Sequence, residues 1–180
     1  YRLLAYSRAF DMTVVSHAED AALTAGSVAT EGEYATRLGL AAAPAFAESL
    51  AVARDIRLAE ATGARLHLRQ VTTAEGLDLV RAARARGVAV SAGVTPAHWL
   101  LNETAVAGFR SFARLSPPLR SDADRRGVAD SMFRREDVTA DEKGRIKTAM
   151  ESGDVETQRR VLAEIVATRD QEQTQGKDIR

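Results

Sequence analysis

Three short polar runs hold the side chains best suited to chemistry: His17-Ala18-Glu19-Asp20, Gln70-Val71-Thr72-Thr73 and Thr95-Pro96-Ala97-His98. His17 directly follows Val14-Val15-Ser16, which puts its imidazole at the end of a β-favouring run. Imidazole is the commonest nitrogen ligand of catalytic metals. The competing reading is a histidine hydrogen-bonded within a loop, and position alone favours that one. His67 shares a strand face with Arg65, Arg69 and Val71, which suits a structural role. His98 follows Pro96 at a helix start, where capping, support of a neighbour and substrate contact are all open. The three histidines lack the H-x-H or H-E-x-x-H spacing of a compact metal site. Arg37 and Arg120 could each clamp a carboxylate through paired hydrogen bonds, although an arginine bracing a loop is the commoner case. Ser116 has no adjacent base to activate it, and the chain holds neither a phosphate-cradling glycine loop nor a G-x-S-x-G elbow.

The elements that must position these groups alternate in type. Tyr1 to Phe10 has helical spacing, and Met12 to Val15 is β-favouring. A polar loop, Thr24 to Gly39, leads to an Ala-rich helix over Ala45 to Thr62. Ala45, Val52, Ala53, Ile56 and Ala59 form its apolar face, Glu48, Arg54, Asp55 and Arg57 lie mostly away from it, and Gly63 is a fitting C-cap. Arg65 to Val71 alternates as a strand, Thr73 caps a helix running to Arg86, and Val88 to Val94 is a further strand. Strands spaced by amphipathic helices pair in parallel with right-handed crossovers, as in a doubly wound sheet or a TIM barrel. A closed eight-stranded barrel typically needs about 250 residues, so a barrel here is partial. In a parallel α/β fold, functional groups collect at the C-terminal ends of strands, where all three polar runs fall.

Composition separates two regions. Residues 1–130 hold all four prolines and four of the five phenylalanines, and about 22% of their side chains are charged. Residues 131–180 carry 10 basic and 11 acidic side chains, about 42% of the segment. The expected organisation is a partial α/β barrel over 1–130 followed by a short polar helical tail over 131–180. Thr139 with Glu142 has capping-box spacing, and Asp154 can cap a helix carrying Val155, Leu162, Ile165 and Val166. The last ten residues have the composition of a disordered end. The whole chain balances 25 basic against 25 acidic side chains at a pI near 7.1. That balance argues against nucleic acid or an anionic membrane as partner. The absence of cysteine excludes disulfides, thiolate metal sites and catalytic thiols. No apolar run approaches the 18 or so residues of a membrane span, so the expected setting is cytoplasmic.

Taken in order, the motifs resemble the class I dihydroorotases, zinc-dependent cyclic amidohydrolases built on a TIM barrel. The resemblance runs over residues 1–130. Besides the three polar runs it rests on Glu31-Gly32-Glu33-Tyr34-Ala35-Thr36-Arg37-Leu38-Gly39-Leu40, Ala53-Arg54-Asp55, Thr62-Gly63-Ala64-Arg65-Leu66-His67 and Ser116-Pro117-Pro118-Leu119-Arg120. It implies the reversible cyclisation of N-carbamoyl-aspartate to dihydroorotate in pyrimidine synthesis. The implied chemistry is metal-assisted: zinc lowers the pKa of a bound water to about 7 and polarises the ring carbonyl while an aspartate shuttles the proton.

Carried over by position, the resemblance makes His17 a zinc ligand. Gln70 stands where the family has a second histidine on the metal, and a neutral amide is a poor zinc ligand. Ser116 replaces the asparagine that contacts substrate, His98 falls in the substrate-side Thr-Pro motif, and Ala97 stands where that motif has its first histidine. The family's His-x-His and Asp-His-Ala-Pro motifs, the latter carrying the catalytic aspartate, have no counterpart in the 180 residues. No catalytic residue is therefore assigned. The expectation is a catalytically incompetent dihydroorotase-like segment, with aspartate carbamoyltransferase as the partner it could scaffold. Two alternatives stand beside it: a segment of an active zinc-dependent amidohydrolase, and an interaction module that forms homo-oligomers through its C-terminal helices.

Overall fold

A computed structural model describes residues 1–133, 140–152, 154, 156–161, 163 and 164. The chain divides into two units, Tyr1–Ser131 and Met132–Arg180.

The first unit is α/β. Helix α1 (Arg2–Ala9) leads into strand β1 (Thr13–His17). After the short helix α2 (Ala21–Thr24) come β2 (Ala29–Thr30), α3 (Glu33–Leu38) and β3 (Ala42–Ala43). The long helix α4 (Phe46–Thr62), β4 (Arg65–Arg69), α5 (Ala74–Ala85), β5 (Val90–Ala92), α6 (Pro96–Leu100) and α7 (Asp122–Phe133) complete it, with two 3-10 turns between α6 and α7. A three-stranded parallel sheet has the order β1-β4-β5, and β2 and β3 form a separate parallel pair. The expected parallel α/β architecture is present as a partial sheet.

The core lies on one face of this sheet. Leu66 and Leu68 alternate with Arg65, His67 and Arg69 along β4, and the leucines are fully buried with Val52 and Ile56 of α4 and Val80 and Ala83 of α5. Burying a leucine side chain stabilises the fold by about 1.5–3 kcal/mol, so this alternation decides which face of the sheet the helices cover. The opposite face is open at its middle: Val15 is 61% exposed.

Local structure differs from sequence expectation in three places. Val71, read on the strand face of Arg65, His67 and Arg69, is buried in the core with Leu66 and Leu68, because Gln70 at φ 61° ends the alternation. The segment Thr24 to Gly39 is more than a loop, because it contains β2 and α3. Helix α3 is supported by the Glu33–Arg37 ion pair one turn apart and is stopped by Gly39 at φ 64°. In α4, Ala53 is exposed whereas Glu48 and Asp55 are buried. Both carboxylates find partners that overrule their hydropathy: Asp55 accepts from Ser16 Oγ at 2.6 Å and from Arg54 Nε at 2.9 Å. The α4 and α5 caps stand as read, with Gly63 at φ 66° and Thr73 accepting from Gly76 N–H.

In the second unit, α8 spans Ala140–Glu151, and Asp154 accepts from the Glu156 and Thr157 amides, as a helix cap does. Thr139, Val155, Leu162, Ile165, Val166 and the last ten residues lie outside the described residues. Among the described residues no helix is long and apolar enough to cross a membrane.

Candidate active-site mouth

His17 is the last residue of β1, on the open sheet face. Its Nε2 lies 3.3 Å from Glu19 Oε2. A carboxylate oxygen only accepts, so Nε2 donates to it, and Nδ1 is the ring nitrogen left over. That Nδ1 is buried and has no hydrogen-bond partner. A histidine held by a carboxylate at one nitrogen with the other free is the arrangement of a metal ligand. The run His17 to Asp20 thus divides its work: His17 presents a nitrogen, Glu19 orients it, and Asp20 caps α2 by accepting from the amides of Ala22 and Leu23.

Gln70 follows the end of β4 with φ 61°, a left-handed conformation that turns the chain out of the strand. Its amide makes no hydrogen bond to a described residue. Arg69 pairs in register with His17, placing the two residues directly across neighbouring parallel strands. His67 lies one layer below, with Nδ1 2.9 Å from Ser91 Oγ.

Beneath this mouth lies a buried charge network that hydropathy patterning hides. Glu48 Oε1 accepts from the amides of Thr72 and Thr73, each at 2.8 Å, and from Thr73 Oγ1 at 2.8 Å. Glu48 Oε2 accepts from Thr72 Oγ1 at 2.5 Å and from Arg120 Nη2 at 3.3 Å. Arg120 also donates through Nε to Thr72 Oγ1 at 3.0 Å and through Nη1 to Thr30 Oγ1 at 3.4 Å. Both charged side chains are at most 5% exposed. Arg120 is thus a brace between the end of β4 and its own loop. The available signal for Glu48 was its spacing: with Val52, Asp55, Ile56 and Ala59 it falls at i, i+4, i+7, i+8 and i+11 on one helix face.

His98 is also committed inside the fold. Thr95 Oγ1 lies 2.6 Å from Nδ1, and Nε2 donates to the Pro117 carbonyl at 2.7 Å. Burial holds its pKa below the ordinary 6.5, and the nearby Arg120 adds to the effect against the opposing pull of the Pro117 hydrogen bond and Glu48. His98 braces the loop at Ser116-Pro117, where the peptide bond is cis. Ser116 is exposed on that loop. Arg37 is spent on the exposed pair with Glu33.

The residues present do not make a zinc site by themselves. His17 fits, but a catalytic zinc takes three protein ligands, and among the described residues no three His, Asp or Glu side chains converge on one point. Gln70 adds an amide where an imidazole would serve, and Arg69 adds a cation beside it.

Parallel strands with functional groups gathered at their C-terminal ends define the class: a parallel α/β fold, present as a partial sheet. The fold matches solved structures of this kind. A D-hydantoinase (dihydropyrimidinase) from Thermus sp. superposes with a TM-score of 0.62 at 23% identity, over 74% of this chain and 30% of that one. An L-hydantoinase (dihydropyrimidinase) from Arthrobacter aurescens gives 0.62 at 21% identity, over 73% and 30%. Sequence similarity narrows the class. Residues 4–76 match the family described as Dihydro-orotase-like. A dihydroorotase of Pelotomaculum thermopropionicum is 48% identical over 133 residues, 72% of this chain and 31% of the relative. A dihydroorotase-like protein of Pseudomonas aeruginosa is 40% identical over 131 residues, 73% and 31%. These similarities identify the chain as dihydroorotase-like over about 72% of its length, in agreement with its motifs. The chain spans about 31% of the length of these curated relatives.

Proposed function

We propose that this chain is a non-catalytic dihydroorotase-like segment that acts as a scaffold for aspartate carbamoyltransferase. One observation carries the first half of that reading: the β1–β4 mouth presents a single metal-ready nitrogen, His17 Nδ1, with Gln70 and Arg69 where further ligation would be needed. Two buried groups that could otherwise move a proton are committed inside the fold. His98 has both ring nitrogens engaged, and Glu48 is locked among two threonines and Arg120. Of the residues at this mouth, His17 presents one unpartnered nitrogen, and Glu19 is engaged in orienting it.

The test combines metal analysis with a dihydroorotate hydrolysis assay on the full-length parent that contains these 180 residues, supplied with zinc. The expected result is no stoichiometric zinc and no hydrolysis; turnover with bound zinc would sink the reading. The scaffold role is checked by mixing the chain with aspartate carbamoyltransferase and measuring mass by light scattering. A complex heavier than either component is expected, and additive, unshifted masses would count against it.

A second reading, a segment of an active zinc-dependent amidohydrolase, is favoured by the carboxylate-oriented imidazole of His17. Its test is the same hydrolysis assay, with the opposite outcome expected.

A further inference from the structure

We infer that Arg69 excludes a divalent cation from the mouth that His17 is built to serve, so that Gln70 is one of two residues closing the position. The inference rests on reading the β1–β4 mouth as the site of the proposed function. Register places Arg69 directly opposite His17, and neighbouring strands lie about 4.8 Å apart. Alternation puts both on one face: Leu66 and Leu68 are buried against the helices, so Arg65, His67 and Arg69 face the other way, with Val15 and His17.

A guanidinium is charged at every accessible pH. That of Arg69 makes no ion pair with a described residue, whereas the neighbouring Arg65 on the same face pairs with Asp11. The acidic group nearest His17 by its contacts is Glu19, whose carboxylate is used in orienting the imidazole at 3.3 Å. A divalent ion drawn to His17 Nδ1 would therefore meet a positive charge on the adjacent strand, with Glu19 the one carboxylate in contact with the imidazole and already engaged at its other nitrogen. Replacing Gln70 by histidine supplies a second imidazole without removing this repulsion.

The experiment titrates zinc into the full chain and follows the ring Cε1–H resonance of His17 by NMR, with affinity from competition against a chromophoric chelator. The variants are Gln70→His, Gln70→His with Arg69→Gln, and Gln70→His with Arg69→Lys. Arg69 is exposed, and a backbone amide spectrum of each variant checks that it folds. The neutral double variant is expected to bind zinc roughly tenfold or more tightly than Gln70→His, with His17 shifting. The lysine variant, which keeps the charge on a different shape, is expected to resemble Gln70→His. Equal zinc affinity in Gln70→His and the neutral double variant would overturn the inference, as would a folded neutral double variant that binds no zinc. These outcomes are independent of whether the wild-type chain hydrolyses dihydroorotate, which tests the proposed function alone.

Discussion

Glu48 and Arg120 set the largest single-residue stakes in the first unit. Each is charged and almost wholly buried, and a buried pair broken on one side typically costs about 3–5 kcal/mol, because the surviving charge has lost its compensation. Glu48→Gln keeps the volume but leaves Arg120 without a counter-charge and turns amide protons toward donors of Thr72 and Thr73. We expect a loss of that size in urea unfolding of the full chain; a change below about 1 kcal/mol would show that solvent reaches the pair. His98 predicts a pH dependence. Its pKa is lowered in the folded state relative to 6.5, so below that pH the unfolded chain binds the proton more readily and stability falls. The contribution is fully present above 6.5 and is lost as pH drops toward the folded pKa. His98→Gln should be less stable at neutral pH and show a shallower decline in melting temperature below pH 6.5. An unchanged slope would assign the decline to other groups.

At the scale of elements, the position of α7 depends on a missing side chain. A Cβ built on Gly127 would stand 2.6 Å from Ala74 Cβ at the start of α5, and the same helix N-terminus is tied to α7 by Ala74 N–H donating to Asp124 Oδ1 at 3.0 Å. Gly127→Ala should push the helices apart and cost about 1–3 kcal/mol, the usual range for overpacking, despite alanine's better helix propensity. Thermal unfolding checks it; a stabilised variant would mean that the contact relaxes freely. The elements themselves were largely legible from sequence. Period-two leucines marked β4, Thr73 and Gly63 marked helix ends, and parallel order followed from the spacing of strands by helices. The segment Thr24 to Gly39 was not legible. β2 and β3 are two residues each and pair only with one another, which is too short for periodicity to register.

For the whole molecule, the division at Ser131 predicts independence of the first unit's core. The buried residues of that core come from α4, β4, α5 and β5 apart from Ala18 and Val71. A chain ending after Phe133, which keeps α7 intact, should retain the mixed α/β far-UV signature and melt within a few degrees of the full chain, and loss of cooperative melting would contradict this. Sequence by itself determined the family resemblance, the parallel α/β class and the candidacy of His17, since these depend on residue identity and local spacing. It could not determine what each polar residue faces. Glu48 and Asp55 read as solvent-facing and are buried; for Arg120 and His98 bracing and ligand contact both stood open, and the fold spends them as braces. Their partners lie up to 90 residues away in the chain, and a hydrogen bond or ion pair across that separation exists only once the strands have paired and the helices have packed. The same is true of Arg69, whose place beside His17 follows from the register of β1 on β4, which only pairing across the sheet decides.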